Sequence, residues 1–529
     1  MILTNGRIYT LERADSIADT LVVRDGRIAF AGRRSDVNPG VGEAMIDLEG
    51  RAVLPGLADA HAHLSILAEA RLALDLSAAV SEDDVARMVA EAARRTRAKA
   101  SGSPRGEWIT GRGWNETRWP GARRPTRASL DRAAPDHPVA LVRVDGHATW
   151  VNSVALAIAG ITRSTGDPSG GLVVKDARGE PTGILIDMAQ DIVRRIVPKP
   201  STDRFDAAVR DVIGECLAKG LTGIHEMGAD LYALAAYRRL VERGDFPFRD
   251  YVAVRGREAW SAYRERGPEV LGDGHVVVGA LKLWLDGALG SRGAALHACY
   301  GDDPGNTGLL LLPLDEVERR TREAAARGFQ TCVHAIGDRA NTLTLDVFES
   351  VLGSLPPGQR FRVEHAQILT AADIPRFARL GVLPSMQPTH CTSDMRWAAE
   401  RLGPDRLEGA YAWRSLLATG TIIAGGSDFP VEDANPFHGI HAAVTRRPRE
   451  GDDPGWQPHQ RMTRAEAIRS FTTWNAYASR QEEDLGTLEP GKRADLVVLS
   501  DDVFSCAEAR IQDIAPVLTM VGGDIVYPL

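Results

Sequence analysis

The chain has 529 residues, 44% hydrophobic and 25% charged, a length and composition suited to a large barrel carrying further structure and to a well-buried core. Its 63 basic and 71 acidic residues are mixed along the sequence and sum to −8, which leaves no footprint for nucleic acid or an anionic membrane and points to a small-molecule partner. No apolar run approaches the ~18 residues of a membrane helix, the opening MILTNGRIYTLE lacks a signal-peptide pattern, and five scattered cysteines exclude a disulfide framework or thiolate zinc site, so the cytoplasm is the expected compartment.

In chain order, ILTNGRIYTL, TLVVRDGRIAFAG and AMIDLEGRAVLPG read as short strands separated by N-G, D-G and E-G turns. The C-terminal GTLEPGKRADLVVLS and VLTMVGGDIVYPL return to that pattern. Residues 1–54 and 481–529 are therefore predicted to form one small β-sandwich from both termini. Between them, over 55–480, apolar runs alternate with helical stretches, the pattern of a parallel sheet. Eight strands are predicted: AVLPGLADAH, GLTGIHEMG, FRDYVAVR, VVVGALKLWLDG, GFQTCVHAIGD, FRVEHAQ, GVLPSMQP and TIIAGGSDFP. Eight is the count of a (β/α)8 TIM-like barrel. A helix is expected from Leu314, with Val317, Thr321 and Ala324 inward. The long stretch between the first two strands, about 76–200, is a structured insertion with a helix over 81–99, and it leaves the barrel at the C-terminal face, where it should roof the site.

His61 and His63, in DAHAHL, are two apart at the end of the first strand, so both side chains face one way. Lys282 and Asp286 lie at the end of the fourth strand, His334 on the fifth, His365 on the sixth and Asp428 on the eighth. All sit toward C-terminal strand ends, which converge on one barrel mouth. Neutral imidazoles and a carboxylate suit Zn²⁺, which lowers the pKa of a bound water toward ~7 and so supplies a nucleophile at neutral pH.

These positions, with DGALGSR, HAIGDRA, EHAQ, GSDFPVE and the tail GTLEPGKRADLVVL, resemble the amidohydrolase superfamily and its YtcJ-like branch, which includes N-substituted formamide deformylases. The resemblance covers nearly the whole chain. It implies that His61, His63 and Asp428 hold one ion and His334 and His365 a second, so one or two zinc ions per chain, with Lys282 carboxylated by CO2 as a bridge. An unmodified ammonium beside zinc would be repelled. It implies that Asp428 both ligates and moves the proton from water to the leaving nitrogen, and it suggests a homodimer.

Other candidates keep two readings. Asp286 and Arg292 orient substrate or support Lys282, although an Asp-Gly turn explains the aspartate equally. His147 polarises the substrate carbonyl or lines the site, and Asn152 does so or caps a helix. Trp114, Trp119 and Trp397 form an apolar wall or simply pack. Glu364 and Asp338 are expected to hold His365 and His334 from behind. Cys332, His225 and Glu226 are expected to be packing or core groups. The expected activity is hydrolysis of an amide, N-acyl or N-formyl C–N bond. Ester, carbamate or lactone hydrolysis and heterocycle deamination by the same site are the alternatives, and a silent binding scaffold is a remote one, since every expected ligand position is filled.

Overall fold

A computed structural model describes residues 1–13, 16–40, 42–97, 107–451 and 453–528. Eight strands lie side by side, parallel and in chain order: β1 (Leu57–Ala62), β2 (Leu221–Ala229), β3 (Arg249–Val254), β4 (Val276–Trp284), β5 (Gln330–Ala335), β6 (Arg362–His365), β7 (Leu383–Met386) and β8 (Ala424–Gly425). Their residues are buried almost throughout, as expected of strands covered on both faces. β8 is only two residues long, and just beyond it the sheet returns to its beginning: Asp428 N donates to His61 O at 2.7 Å and Ser427 N to the Asp59 carboxylate at 3.0 Å. This is a nearly closed eight-stranded parallel barrel. The helix expected from Leu314 spans Leu314–Ala326 and buries Val317, Thr321 and Ala324.

The run expected as the first barrel strand is two strands. Ala52–Pro55 pairs outside the barrel, and β1 begins only after Gly56. A Cβ at Gly56 would stand 2.2 Å from Thr222 Oγ1, so the chain turns there under a close neighbour that only glycine admits. Ala52–Pro55 joins strands from both ends of the chain: it runs parallel to Ile2–Tyr9 and antiparallel to Leu496–Leu499, with Leu54 opposite Val497. These terminal strands form one hydrogen-bonded sheet of eight, a path of seven with Met45–Asp47 branching from Ile2–Tyr9. Asp25 and Gly26, at φ 48° and 74°, make the tight turn expected between Ile17–Arg24 and Arg27–Gly32. The N-G pair makes no turn. Asn5 takes φ 57° within the single strand Ile2–Tyr9, where the register with its neighbour shifts between Thr4 and Ile8, so the signal marks a bulge.

Between β1 and β2 lies a third sheet of six strands, including Ile109–Trp114, Val139–Arg143, Ala148–Val151 and Pro181–Asp187. It has its own apolar core, in which Trp114, Trp119 and Trp150 meet with ring centroids 6.0–6.4 Å apart. The helix expected over 81–99 runs Glu82–Arg97, and residues 98–99 of that expectation lie outside the described residues.

Candidate metal centre

β1 delivers His61 from its last turn of extended chain, and His63 follows as the residue that precedes the helix Leu64–Arg71. Asp428 comes from beyond β8, and its Oδ1 lies 3.1 Å from His63 Nε2 and 3.6 Å from His61 Nε2. Donor atoms of His61, His365 and Asp428 fall within 4.8 Å of one another, close enough for one ion. His365 at φ 76° and Asp428 at φ 61° both occupy the left-handed region, which costs a non-glycine residue ~1–3 kcal/mol and is typically held at functional sites.

The imidazoles are aimed from behind. His61 Nδ1 lies 2.6 Å from Glu364 Oε2, so Nδ1 carries the proton and Nε2 faces the mouth as a lone pair. Glu364 is fixed in turn by Arg362, whose Nη2 also donates to Ala60 O at 2.6 Å and Ser385 Oγ at 3.0 Å across the barrel interior. Burial would raise the Glu364 carboxyl, but the Arg362 guanidinium and the His61 hydrogen bond, with Lys282 nearby, together outweigh it and hold the group well below the usual carboxylate range. His365 Nδ1 meets Gln387 Oε1 at 2.8 Å, and Gln387 Nε2 donates to Ser385 O, which leaves Oε1 as the acceptor. Burial pushes His61 down to about 4, and burial with the surrounding cations pushes His334 and His365 well below the ordinary imidazole value. All three are therefore neutral, the form that binds a metal. Burial likewise opposes charge on Asp428, yet the histidines around it, with His63 Nε2 3.1 Å away, together outweigh it and hold the carboxyl well below the usual carboxylate range.

His334 stands beside this group, with its ring centroid 4.5 Å from that of His365. Its Nε2 makes no hydrogen bond and lies 3.5 Å from Asp286 Oδ1. Lys282 is buried on β4, and its Nζ makes no hydrogen bond. Burial lowers its pKa. A ring of neutral imidazoles, an ionised carboxylate, His334 and Asp428 atoms without hydrogen bonds and a buried lysine whose Nζ makes none is a donor set that fits a metal ion.

These residues line a cavity of about 2220 Å³ that is lined from the other side by the sheet between β1 and β2. From that sheet His147 reaches the centre: its ring centroid is 5.6 Å from that of His334, and its Nδ1 lies 2.7 Å from Asp187 Oδ1. Burial alone would lower the His147 pKa, but the Asp187 hydrogen bond and charge outweigh that and raise it to about 9. An imidazolium thus faces a group of neutral imidazoles.

Several expected residues sit elsewhere. Trp114 is 1% exposed in the core of the six-stranded sheet, where its indole N–H donates to Leu141 O; Trp119 is buried beside it with its own N–H on Ala79 O. Of the three tryptophans only Trp397 lines the cavity, and Trp284 joins it there. Arg292 takes φ 61°, which turns its side chain away from the mouth and onto Asp302 at 2.8 Å. Asp286 accepts from the backbone N–H groups of Ala295, Ile336 and Gly337, so it ties the loop after β4 to the end of β5. Asn152 is the helix cap: its Oδ1 accepts from Ala155 N at 3.0 Å. Glu364 serves His61 rather than His365 because adjacent strand residues face opposite ways. Asp338 accepts from His297 N and Arg339 N rather than holding His334. Cys332 packs in the barrel, and His225 lies 2.9 Å from Arg362 Nη1.

Sequence reasoning missed Gln387, His390 and Asp187. His390 sits on Pro388–Asp394, stacked on His365 at 6.1 Å, with Nε2 3.8 Å from Asp428 Oδ2. The run SMQPTH, at the C-terminal end of β7, carried the same signal as the other strand ends. No local signal links Asp187 to His147, 40 residues before it.

Comparison with known proteins agrees with this geometry. The model of the "Amidohydrolase family" matches residues 44–527. The chain belongs to the amidohydrolase family. It is 37% identical over 536 residues to the putative amidohydrolase YtcJ of Bacillus subtilis (strain 168), spanning 99% of this chain and 98% of that protein. It is 28% identical over 546 residues to an N-substituted formamide deformylase of Arthrobacter pascens, spanning 100% and 98%. Among solved structures, an uncharacterized metal-dependent hydrolase from Pyrococcus horikoshii OT3 superposes with TM-score 0.78 at 26% identity, over 96% of this chain and 98% of that one. This amidohydrolase-family chain is a hydrolase of the YtcJ and formamide deformylase branch, and among its described residues no helix is long and apolar enough to cross a membrane.

Proposed function

We propose that this protein hydrolyses a C–N bond, an amide, N-acyl or N-formyl group, of a small or medium-sized substrate, with zinc as the metal and Lys282 carboxylated. The observation that carries the reading is the opposition of two groups across the cavity: the ionised Asp428 among neutral imidazoles on the barrel side, and the His147 imidazolium on the other.

His61, His63, His365 and Asp428 would hold one ion, and His334 with carboxylated Lys282 a second. When bound, zinc at such a site lowers the pKa of a water toward ~7 and polarises a carbonyl. Asp428 accepts the proton of the attacking water and returns it to the leaving nitrogen, which departs as a neutral amine as the C–N bond breaks. His147, its Nδ1–H held by Asp187, donates from Nε2 to the carbonyl oxygen as that atom gains charge. Carboxylation of Lys282 would replace a buried ammonium that makes no hydrogen bond by an anion between two cation sites. Trp284 and Trp397 give the cavity an apolar wall for the rest of the substrate.

The test is to assay the zinc-loaded enzyme on N-formyl and N-acyl amines alongside matched esters, carbamates and lactones, with amine and acid products both quantified. Equimolar amine and acid from the amides, with the oxygen analogues turned over more slowly, is expected. Hydrolysis confined to the esters or lactones would overturn the C–N reading.

A further inference from the structure

Several cations that the proposed reaction does not use line the cavity, and one of them, Arg112, lies beside His147. Arg112 lies on the strand Ile109–Trp114, half-buried, and its side chain lines the same cavity as His147 and Asp428. Its Nη2 donates to Val144 O at 3.1 Å, while Nη1 and Nε make no hydrogen bond among the described residues. The guanidinium lies along Gly146, where a Cβ would stand 3.6 Å from Nη2 and 3.8 Å from Nη1, so it sits one residue from His147.

The neighbouring charges are already matched to each other. Asp145 is held by Arg143 and by the backbone N–H of His147, Arg194 pairs with Asp191 at 2.9 Å, and Arg255 lies 3.9 Å from Asp230. Among the described residues no carboxylate is within ion-pair distance of Arg112. A half-buried guanidinium in that condition has lost part of its hydration without a counter-charge, a cost proteins ordinarily avoid. Burial accordingly lowers its pKa, and Asp145 and the more distant Asp428 only partly offset this.

We infer that Arg112 binds a carboxylate carried by the substrate, so that the preferred substrate is an amide bearing an acid group, placed with its carbonyl toward His147 and its carboxylate on the free edge of this guanidinium. The planar fork of arginine matches a carboxylate with two parallel N–H donors, which lysine cannot reproduce. Gly146 leaves the room for that approach, and the acid would supply the counter-charge that Arg112 lacks. This inference rests on the C–N reading only for the group that is cut; the site for the acid stands on Arg112 itself.

The test compares wild type, Arg112→Met and Arg112→Lys, all zinc-loaded, on a matched panel: N-acetyl and N-formyl amino acids, with the acid on the amine side, and N-alkyl succinamates, with the acid on the acyl side. Each is paired with its primary amide. Wild type is expected to favour acid over amide by roughly ten- to hundredfold in kcat/KM, the range that a charge-assisted hydrogen bond supports. Arg112→Met should collapse that ratio toward one, and Arg112→Lys should restore only part of it. A merely structural role for Arg112 would depress acid and amide together and leave the ratio unchanged, which would overturn the inference, as would a wild type indifferent to the acid. Calorimetry with N-acetylglycine and N-acetylglycinamide separates the two proposals. Tighter binding of the acid that disappears in Arg112→Met supports the acid site even if no amide is cut, whereas acid binding that survives in Arg112→Met places the carboxylate on the metal and sinks it.

Discussion

Glu364 Oε2 lies 2.6 Å from His61 Nδ1 and shares its carboxylate with Arg362, so one acid orients a metal-facing imidazole and neutralises a guanidinium buried inside the barrel. Glu364→Gln keeps an acceptor for His61 but leaves Arg362 without a counter-charge. It should weaken zinc affinity by roughly 10–100-fold. Chelator competition measures this, and unchanged affinity would mean that His61 is oriented by other contacts. Glu364→Ala should in addition cost about 3–5 kcal/mol in urea unfolding, because a buried charge loses its partner.

His147 carries the pH dependence. Its pKa is raised to about 9, so the imidazolium is present below that value and its Nε2 donor is lost as pH rises through it. kcat/KM should therefore fall above about pH 9. Asp187→Asn removes the strongest of the carboxylates that raise the value, and the falling limb should move down toward the ordinary imidazole value of ~6.5. A pH profile of the two enzymes decides the matter, and a limb that does not move would assign it to another group.

Asp428→Asn should reduce kcat by at least the ~10²–10⁴-fold associated with a positioned proton-transfer group, with near-UV circular dichroism unchanged. Substantial retained turnover would remove Asp428 as the proton carrier.

Lys282 Nζ makes no hydrogen bond in its buried position, and native mass spectrometry should find the mass of one CO2 on the zinc-loaded chain. Lys282→Ala should lose activity and regain part of it with added short carboxylic acids, which can occupy the vacated anion position. Full activity of Lys282→Ala without any additive would make the lysine dispensable.

Trp114 and Trp397 should separate cleanly. Trp114→Ala empties the middle of a three-tryptophan core and should cost about 3–5 kcal/mol of unfolding free energy. Trp397→Ala lines the cavity and should chiefly raise KM. Chemical denaturation and steady-state kinetics on both variants test the assignment.

The barrel was legible because eight apolar runs alternate with helical stretches, and most of the barrel-side groups now gathered at the mouth stand at or just past the C-terminal ends of those runs. What stayed hidden was direction and partnership. Trp114, Trp119 and Trp397 look alike in a sequence, yet the first two close a core and the third faces the cavity. Glu364 stands next to His365 in the chain but reaches His61, 303 residues away, because alternation along a strand points neighbours apart. Arg292 promised a substrate contact until a positive φ turned it onto Asp302. Asp187 could not be found at all without the antiparallel strands that return it to His147, whereas His390 follows a strand end directly and carries the same signal as the other ligands.

The 2.7 Å bond from Asp428 N to His61 O closes the barrel between its shortest strand and its first. Three of the residues that would grip the ion, His61, His63 and Asp428, thus stand on the two lips of that seam, and an ion bound there would fasten the ring shut. Chelation would then do more than silence the enzyme: amide protons of 59–63 and 424–428 would exchange with solvent sooner than those of any other barrel strand, so loss of catalysis and local loosening would be one event.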